Sequence, residues 1–410
     1  MPTNWATNIT FHDALTLHPR TLDELSKLVQ RNPYVRVRGS GHSFNTIADS
    51  TQTVVILDQL QTEILVSRDR SIATVPAGMN YAQISQALHA EGLALSNLAS
   101  LPHICIGGAV STGTHGSGIN NGALHTSITA INLVGADGAL RRLEEGKDPE
   151  FYAAVVGLGS TGIATSFDVR VIPTFEIYQS VYGPVPHQLF QENLIDLLSG
   201  AYSVSFFTTW GETKSGEIWV KSTTCNPERY FDLPALTHKV HPIPGQESSA
   251  CTDQLGIPGP WHLRLPHFRI DATPSAGNEQ QSEFFVDAAD AGAAFARISA
   301  ISEKFRDHLL VSEIRAIASD NHWMSPAYGR TTIAFHFTWK NIPEIPTAVD
   351  YIEQALLPYL YRPHCGKIFT ANSEYLQRAL PRFDEFREYV SRTDPTGKFR
   401  NDFIKGILGL

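Results

Sequence analysis

Two glycine-rich segments, each carrying a histidine, constrain this chain more than any other feature. Arg38-Gly39-Ser40-Gly41-His42-Ser43 ends an alternating stretch, Tyr34 to Arg38, that reads as a strand. Gly107 to Gly118 places five glycines in twelve positions and includes Gly113-Thr114-His115-Gly116. Where no Cβ intervenes, successive backbone N–H groups can converge on an anion such as a pyrophosphate. Taken alone, each segment also fits an ordinary turn or packing loop. Gly157-Leu-Gly159-Ser-Thr-Gly162 matches G-x-G-x-x-G, but a helical stretch precedes it and a strand-like one follows. A dinucleotide fingerprint needs strand, turn and then helix, so an NAD site of that kind is excluded. Gly108 to Gly113 has the outer spacing of a P-loop with Thr114 in place of the lysine, so no ATP site is implied. H-E-x-x-H and G-x-S-x-G are both absent.

Charge narrows the partners. Lys and Arg number 32 against 41 Asp and Glu, a net charge of −9 over 410 residues, which argues against a nucleic-acid-binding surface. No apolar run reaches the ~18 residues of a membrane span. The opening segment lacks a basic stretch followed by an apolar one, so a cytoplasmic protein is expected. Cys105, Cys225, Cys251 and Cys365 lie far apart, so neither a disulfide framework nor a zinc site is indicated, and no metal is expected.

Capping signals at Thr21 and Asn80 predict helices carrying Leu22, Leu25, Leu28 and Val29, and Ile84 and Leu88. Asp148-Pro149 predicts a helix start. Strands are expected at 54–57, 72–75 and 163–172, with a hairpin at 131–143 turning on Asp137-Gly138. Past Pro173, strand patterns at 203–207, 218–221, 283–286, 309–317 and 331–339 alternate with helical ones near 186–199, 288–306 and 345–358. Residues 223–282 read as long excursions and 374–390 as helix. On strands, Glu313 and Arg315 share one side, as do Thr332, His336 and Thr338. A polar face of this kind suits a polyol, whose hydroxyls need partners once desolvated. The Glu313/Arg315 spacing alone equally suits a surface ion pair, and Lys367 a surface lysine.

Taken together, Arg-Gly-Ser-Gly-His42-Ser-Phe-Asn and Gly113-Thr-His-Gly116 resemble the vanillyl-alcohol-oxidase-type FAD-binding family. Ser-Leu-Pro-His-Ile-Cys105-Ile-Gly-Gly, Ser-Glu313-Ile-Arg315, Ala-Phe-His-Phe-Thr338-Trp, Arg-Pro-His-Cys-Gly-Lys367 and Asp394-Pro-Thr-Gly-Lys-Phe-Arg-Asn401 are similar, in order along the chain, to its alditol oxidase branch. The resemblance implies an α+β fold: a PCMH-type FAD-binding domain over 1–175, completed by 376–410, and a cap domain over 176–375 whose antiparallel sheet is covered by helices. It implies FAD attached covalently through His42, with Val37, Arg38, Gly39, Ser40, Gly41, Ser43, Cys105, Gly113, Thr114, His115, Gly116 and Ile163 contacting the cofactor. Cys105, Glu313, Arg315, Thr338 and Lys367 would line the substrate pocket, with Arg315, Lys367 and Glu313 catalytic.

The implied activity is oxidation of the terminal primary alcohol of alditols such as xylitol and sorbitol to the aldose, with O2 reduced to H2O2, by a monomer. An aldonolactone oxidase of the same family is the alternative, and a non-catalytic carbohydrate- or flavin-binding protein a more remote one. Two residues depart from the branch pattern. Cys105 stands where a substrate-touching serine is expected, and is either a weaker hydrogen-bonding group in the pocket or a buried structural thiol. Cys365 replaces a tryptophan.

Overall fold

The computed structural model describes residues 2–60, 63–272 and 277–410. Its helices begin where side chains can satisfy free backbone donors. Thr21 Oγ1 accepts the Glu24 N–H at 3.1 Å and opens the helix Leu22–Arg31. That helix buries Leu25 and Val29 and leaves Leu22 exposed. Asn80 and Gln83 cap one another at the start of Tyr81–Ala90, which buries Ile84 and Leu88.

Three strands form a parallel sheet in the order Leu15–Leu17, Thr53–Val55, Val35–Val37. A five-stranded antiparallel sheet follows, in the order Leu65–Val66, Ile72–Pro76, Ile163–Arg170, Ile128–Val134, Leu140–Glu144. Its last two strands are the expected hairpin, with Gly138 at φ +80° in the turn.

The second half builds an eight-stranded antiparallel sheet in the order Pro258–Pro260, Glu176–Pro186, Ser215–Ser222, Ser203–Thr208, Leu309–Ile317, Thr332–Lys340, Glu279–Asp287, Arg362–Pro363. Strand alternation divides its two faces. Phe206 stacks on Phe190 of the helix His187–Glu192 at 3.8 Å, and Phe337 and Trp339 pack with Phe305. Helices Ala291–Ala300 and Ile345–Leu356 cover the same side. On the other face, register aligns Phe207, Glu313, His336 and Glu283 in one row across four strands. The whole is the expected α+β arrangement.

Several elements differ from the sequence reading. The strand Glu176–Pro186 was not anticipated: Gly183-Pro184 interrupts its pattern, and its register shifts between Tyr182 and Val185. The glycine-rich stretch from Gly107 is helical at its start, Ile106–Ser111, despite poor propensity. Gly107 there packs where a Cβ would meet Ala77 O at 2.8 Å. The helix expected at Asp148-Pro149 starts at Phe151, and Asp148 instead accepts the Glu144 N–H. The predicted helix 186–199 divides at Asn193, and 374–390 breaks before Pro381 into Ser373–Ala379 and Phe383–Thr393. Within the 223–282 excursion, residues 273–276 lie outside the described residues.

Residues 398–401 return to the start of the chain. Lys398 O accepts the Val35 N–H at 2.8 Å, and Phe399 O accepts Arg36 Nη1 at 2.5 Å. The Asn401 amide donates to Thr46 O and Asp49 O at 2.8 and 2.9 Å. Among the described residues, no helix is long and apolar enough to cross a membrane.

Candidate active site

A cavity of about 390 Å³ lies between the polar face of the eight-stranded sheet and the two histidine-bearing glycine segments. Val37 to Ser43 line it continuously, as do Cys105, Thr114 and His115. Gly41 and Gly113 both take φ +70°, a backbone region that disfavours any side chain. His42 stacks on Trp5 with ring centroids 5.3 Å apart, and neither ring nitrogen has a hydrogen-bond partner. Burial, with the nearby His103, pushes its pKa down to about 4, so the imidazole is neutral. A neutral, buried and unpartnered imidazole beside a glycine-lined cradle fits the edge of a flavin site.

Not every expected cofactor contact lines the cavity with its side chain. The Arg38 guanidinium is committed to Asp13 by two bonds of 2.7 and 2.8 Å and lies over Phe11. Ile163 sits in the hydrophobic core, while its neighbours Gly162 and Ala164 line the cavity. Gly113 and Gly116 shape the turn behind it. At Gly116 a Cβ would come within 2.1 Å of Asn97 Oδ1 and 2.3 Å of Leu98 O. Cys105 lines the cavity, and its N–H donates to Ser40 Oγ at 3.1 Å. Cys365 is buried in the core, its thiol pushed up to about 12 by burial.

The sheet brings Glu313, Arg315, Thr338 and Lys367 to the same cavity, and adds a residue the sequence reading missed. Glu283 is almost fully buried and holds three partners: Arg315 Nη2 at 2.7 Å, Lys367 Nζ at 2.8 Å and His115 Nε2 at 3.1 Å. The two cations are therefore bridged by a carboxylate rather than standing free. Burial alone would raise the Glu283 pKa; Lys367, His115 and Arg315 hold it well below the usual range. Glu313 accepts from His267 Nε2 at 2.7 Å, and Arg315 and His267 likewise outweigh burial to keep it ionised. Burial lowers the Lys367 pKa against the opposing pull of Glu283.

His336 lines the same face and was also left out of the predicted site. The Gln281 amide donates to Glu279 Oε1 at 2.6 Å, which turns its oxygen toward His336 Nε2 at 3.0 Å. His336 therefore carries its proton on Nε2, leaving Nδ1 as a lone pair with no partner. Burial first, then Lys367, keeps the ring neutral.

Residues 14–144 match the FAD binding domain family, and 278–407 match the family described as D-arabinono-1,4-lactone oxidase. The alditol oxidase of a Streptomyces strain is 40% identical over 412 residues, covering 99% of this chain and 98% of the relative. This chain belongs to the alditol oxidase family. It is an FAD-dependent oxidase, and the lactone oxidases are more distant members of the same group. An L-gulonolactone oxidase from Scyliorhinus torazame is 25% identical, covering 98% of this chain and 97% of its own length. Cholesterol oxidase from B. sterolicum superposes with a TM-score of 0.79 at 15% identity, over 99% of this chain and 96% of that one; at that identity it speaks for the fold alone.

Proposed function

We propose that this protein oxidises the terminal primary alcohol of an alditol such as xylitol or sorbitol to the aldose, reducing O2 to H2O2, with its FAD attached through His42. The observation that carries this reading is that one cavity joins the unpartnered imidazole of His42 to the charge-balanced cluster of Glu283, Arg315, Lys367 and Glu313. FAD supplies, when bound, the acceptor for the hydride and the means of passing both electrons to O2.

The chain's own groups deal with the hydroxyl and its proton. Lys367 Nζ gives one bond to Glu283 and keeps two N–H donors for a substrate oxygen. Arg315, fixed by Glu283 and by Ser100 Oγ at 3.2 Å, supplies a second charge. As the carbinol C–H leaves with its electron pair, the O–H proton passes to His336 Nδ1, and the carbonyl forms. Glu313, Thr338 and Cys105 position the carbon chain, while the apolar lining on either side excludes water. The same reading divides the chain into an FAD-binding part, 1–175 with 376–410, and a cap over 176–375. It makes the enzyme a monomer of the cytoplasm.

The test is a panel of alditols and aldonolactones with peroxide detection, on protein whose flavin is first assayed after acid precipitation. Flavin pelleting with the polypeptide, with peroxide from xylitol, supports the proposal. Peroxide from aldonolactones alone would transfer the chain to the lactone oxidase reading favoured by the 278–407 match.

A further inference from the structure

Away from the cavity, three buried side chains from distant parts of the sequence meet. His125 lies in the short turn Leu124–Ser127, whose first N–H donates to Thr114 O at 3.0 Å. Asp320 and His322 come from the segment that follows the strand Leu309–Ile317. His125 Nε2 is 3.0 Å from Asp320 Oδ2, and His322 Nδ1 is 3.6 Å from Asp320 Oδ1. The two imidazole centroids are 4.6 Å apart, and their rings are tilted by 75°. None of the three lines the cavity.

The carboxylate is well supplied: Asp320 accepts the His322 backbone N–H at 2.8 Å and the Ser325 hydroxyl at 2.6 Å. The histidines are not. His322 is 4% exposed, with no partner on Nε2 and only the 3.6 Å approach of Asp320 on Nδ1, and His125, 0% exposed, has no partner on Nδ1. A buried imidazole without partners is an expense that native structures avoid unless something else satisfies it. The ligand atoms all lie within 4.8 Å of one another. In a tetrahedral site with bonds of about 2.1 Å, donors sit about 3.4 Å apart, so side-chain adjustments of ~1 Å would bring three of the four ligand positions into place.

We propose that His125, Asp320 and His322 form a three-ligand site for a divalent cation of the zinc class, fastening the 318–330 segment to the turn behind Thr114. Two imidazoles and a carboxylate suit zinc and its first-row neighbours, whereas calcium and magnesium require oxygen donors. The site's place, buried and separate from the substrate cavity, suits a fastening role, with a water to fill the fourth position. The rest of the segment is already anchored by Arg362, whose Nη1 donates to Pro326 O and Tyr328 O at 2.9 and 2.8 Å. No cysteine takes part, and His125 and Asp320 are 195 positions apart, so no sequence spacing reveals the set.

The experiment uses flavin-loaded full-length protein, stripped with a chelator and titrated with zinc sulfate by calorimetry, with Tm followed in parallel. One zinc per chain, a Tm rise of about 2 °C or more and a zinc K-edge absorption spectrum with two imidazole ligands are expected. Magnesium should give no shift. His322→Gln keeps the volume and should weaken zinc binding by about 100-fold or more. His12→Ala and His18→Ala, which remove exposed histidines paired with Asp49 and Asp58, should leave zinc binding unchanged. A wild-type Tm that ignores zinc, or zinc binding undiminished in H322Q, would overturn the site. Should H322Q fail to fold, a wild-type spectrum with fewer than two imidazoles does the same.

Discussion

The two ends of the cavity are built on opposite plans. Around His42 the surface is main chain and ring faces: glycines at 39 and 41, an aromatic stack with Trp5, and an imidazole with no polar partner. Across the sheet the surface is side-chain charge, with two cations, two carboxylates and histidines held by one another. The first end can accept a large planar cofactor because little there already has a partner. The second end is pre-satisfied, so a small polyol must exchange hydrogen bonds with an existing network. One end takes its shape from absent side chains, and the other takes its chemistry from crowded ones.

The sharpest way to break that contrast is at Glu283. Glu283→Gln removes the charge shared by Arg315 and Lys367, leaving two buried cations without their common anion. Breaking a buried pair costs about 3–5 kcal/mol, which urea unfolding would register. Flavin reduction by xylitol should collapse with it. If stability and reduction both survive, the cluster is not interdependent.

Lys367→Met keeps the stem and deletes the charge, so flavin loading should persist while anaerobic flavin reduction slows by about 10² to 10³. A wild-type rate would remove Lys367 from the chemistry. At the other end, His42→Ala should leave stability and the charged cluster intact but release the flavin into the supernatant on acid precipitation. Flavin that still pellets with this variant would exclude His42 as the attachment point.

The two ends also differ in what the sequence discloses. Gly41 and Gly113 could be read because their requirement is local: a backbone conformation written in consecutive residues. Glu313 and Arg315 could be placed on one face because strand period is local too. Glu283 could not. Its three partners lie 32, 84 and 168 positions away, and a lone Glu in Gln-Ser-Glu-Phe-Phe carries no signature of a buried bridge. His336 was placed on the right face, but its role depends on the orientation of Gln281 across the neighbouring strand. The helix Ile106–Ser111 was hidden for a related reason, since a contact with Ala77 overrides the low helical propensity of two glycines.

Acid acts on both ends, since burial holds His42 neutral as it does the histidines of the charged side. Burial depresses the folded pKa of His267 to about 4 and that of His364, which lines the cavity near Lys367, to about 3. Below pH ~6.5 the unfolded chain takes up protons that the folded chain refuses, so stability is full above that value and falls as pH drops toward 4. Each group contributes up to about 1.4 kcal/mol per pH unit. Glu283 and Glu313, whose pKa values are lowered, extend the loss further into acid. Tm measured against pH should decline from 6.5 downward, and His267→Gln should flatten the curve; an unchanged slope would show that His267 carries no such linkage.

The smallest effect belongs to Cys105, which lines the cavity beside Gly39 and Ser40. Cys105→Ser replaces a weak hydrogen-bonding group by a stronger one, and should change KM for xylitol by a few-fold, in keeping with about 0.5–1.5 kcal/mol for one neutral bond. Identical kinetics on every polyol would show that the thiol only packs against Gly39.

The tie between residues 398–401 and the segment carrying His42 sets a timetable for synthesis. Asn401 holds Thr46 from 355 positions away, and at about 5–20 residues per second that interval lasts roughly 20–70 s on the ribosome. Throughout it, the glycine segment has been made but lacks the ties to its two flanks. A chain cut before residue 398 would therefore carry nearly every pocket residue yet lack the ties on either side of the glycine segment.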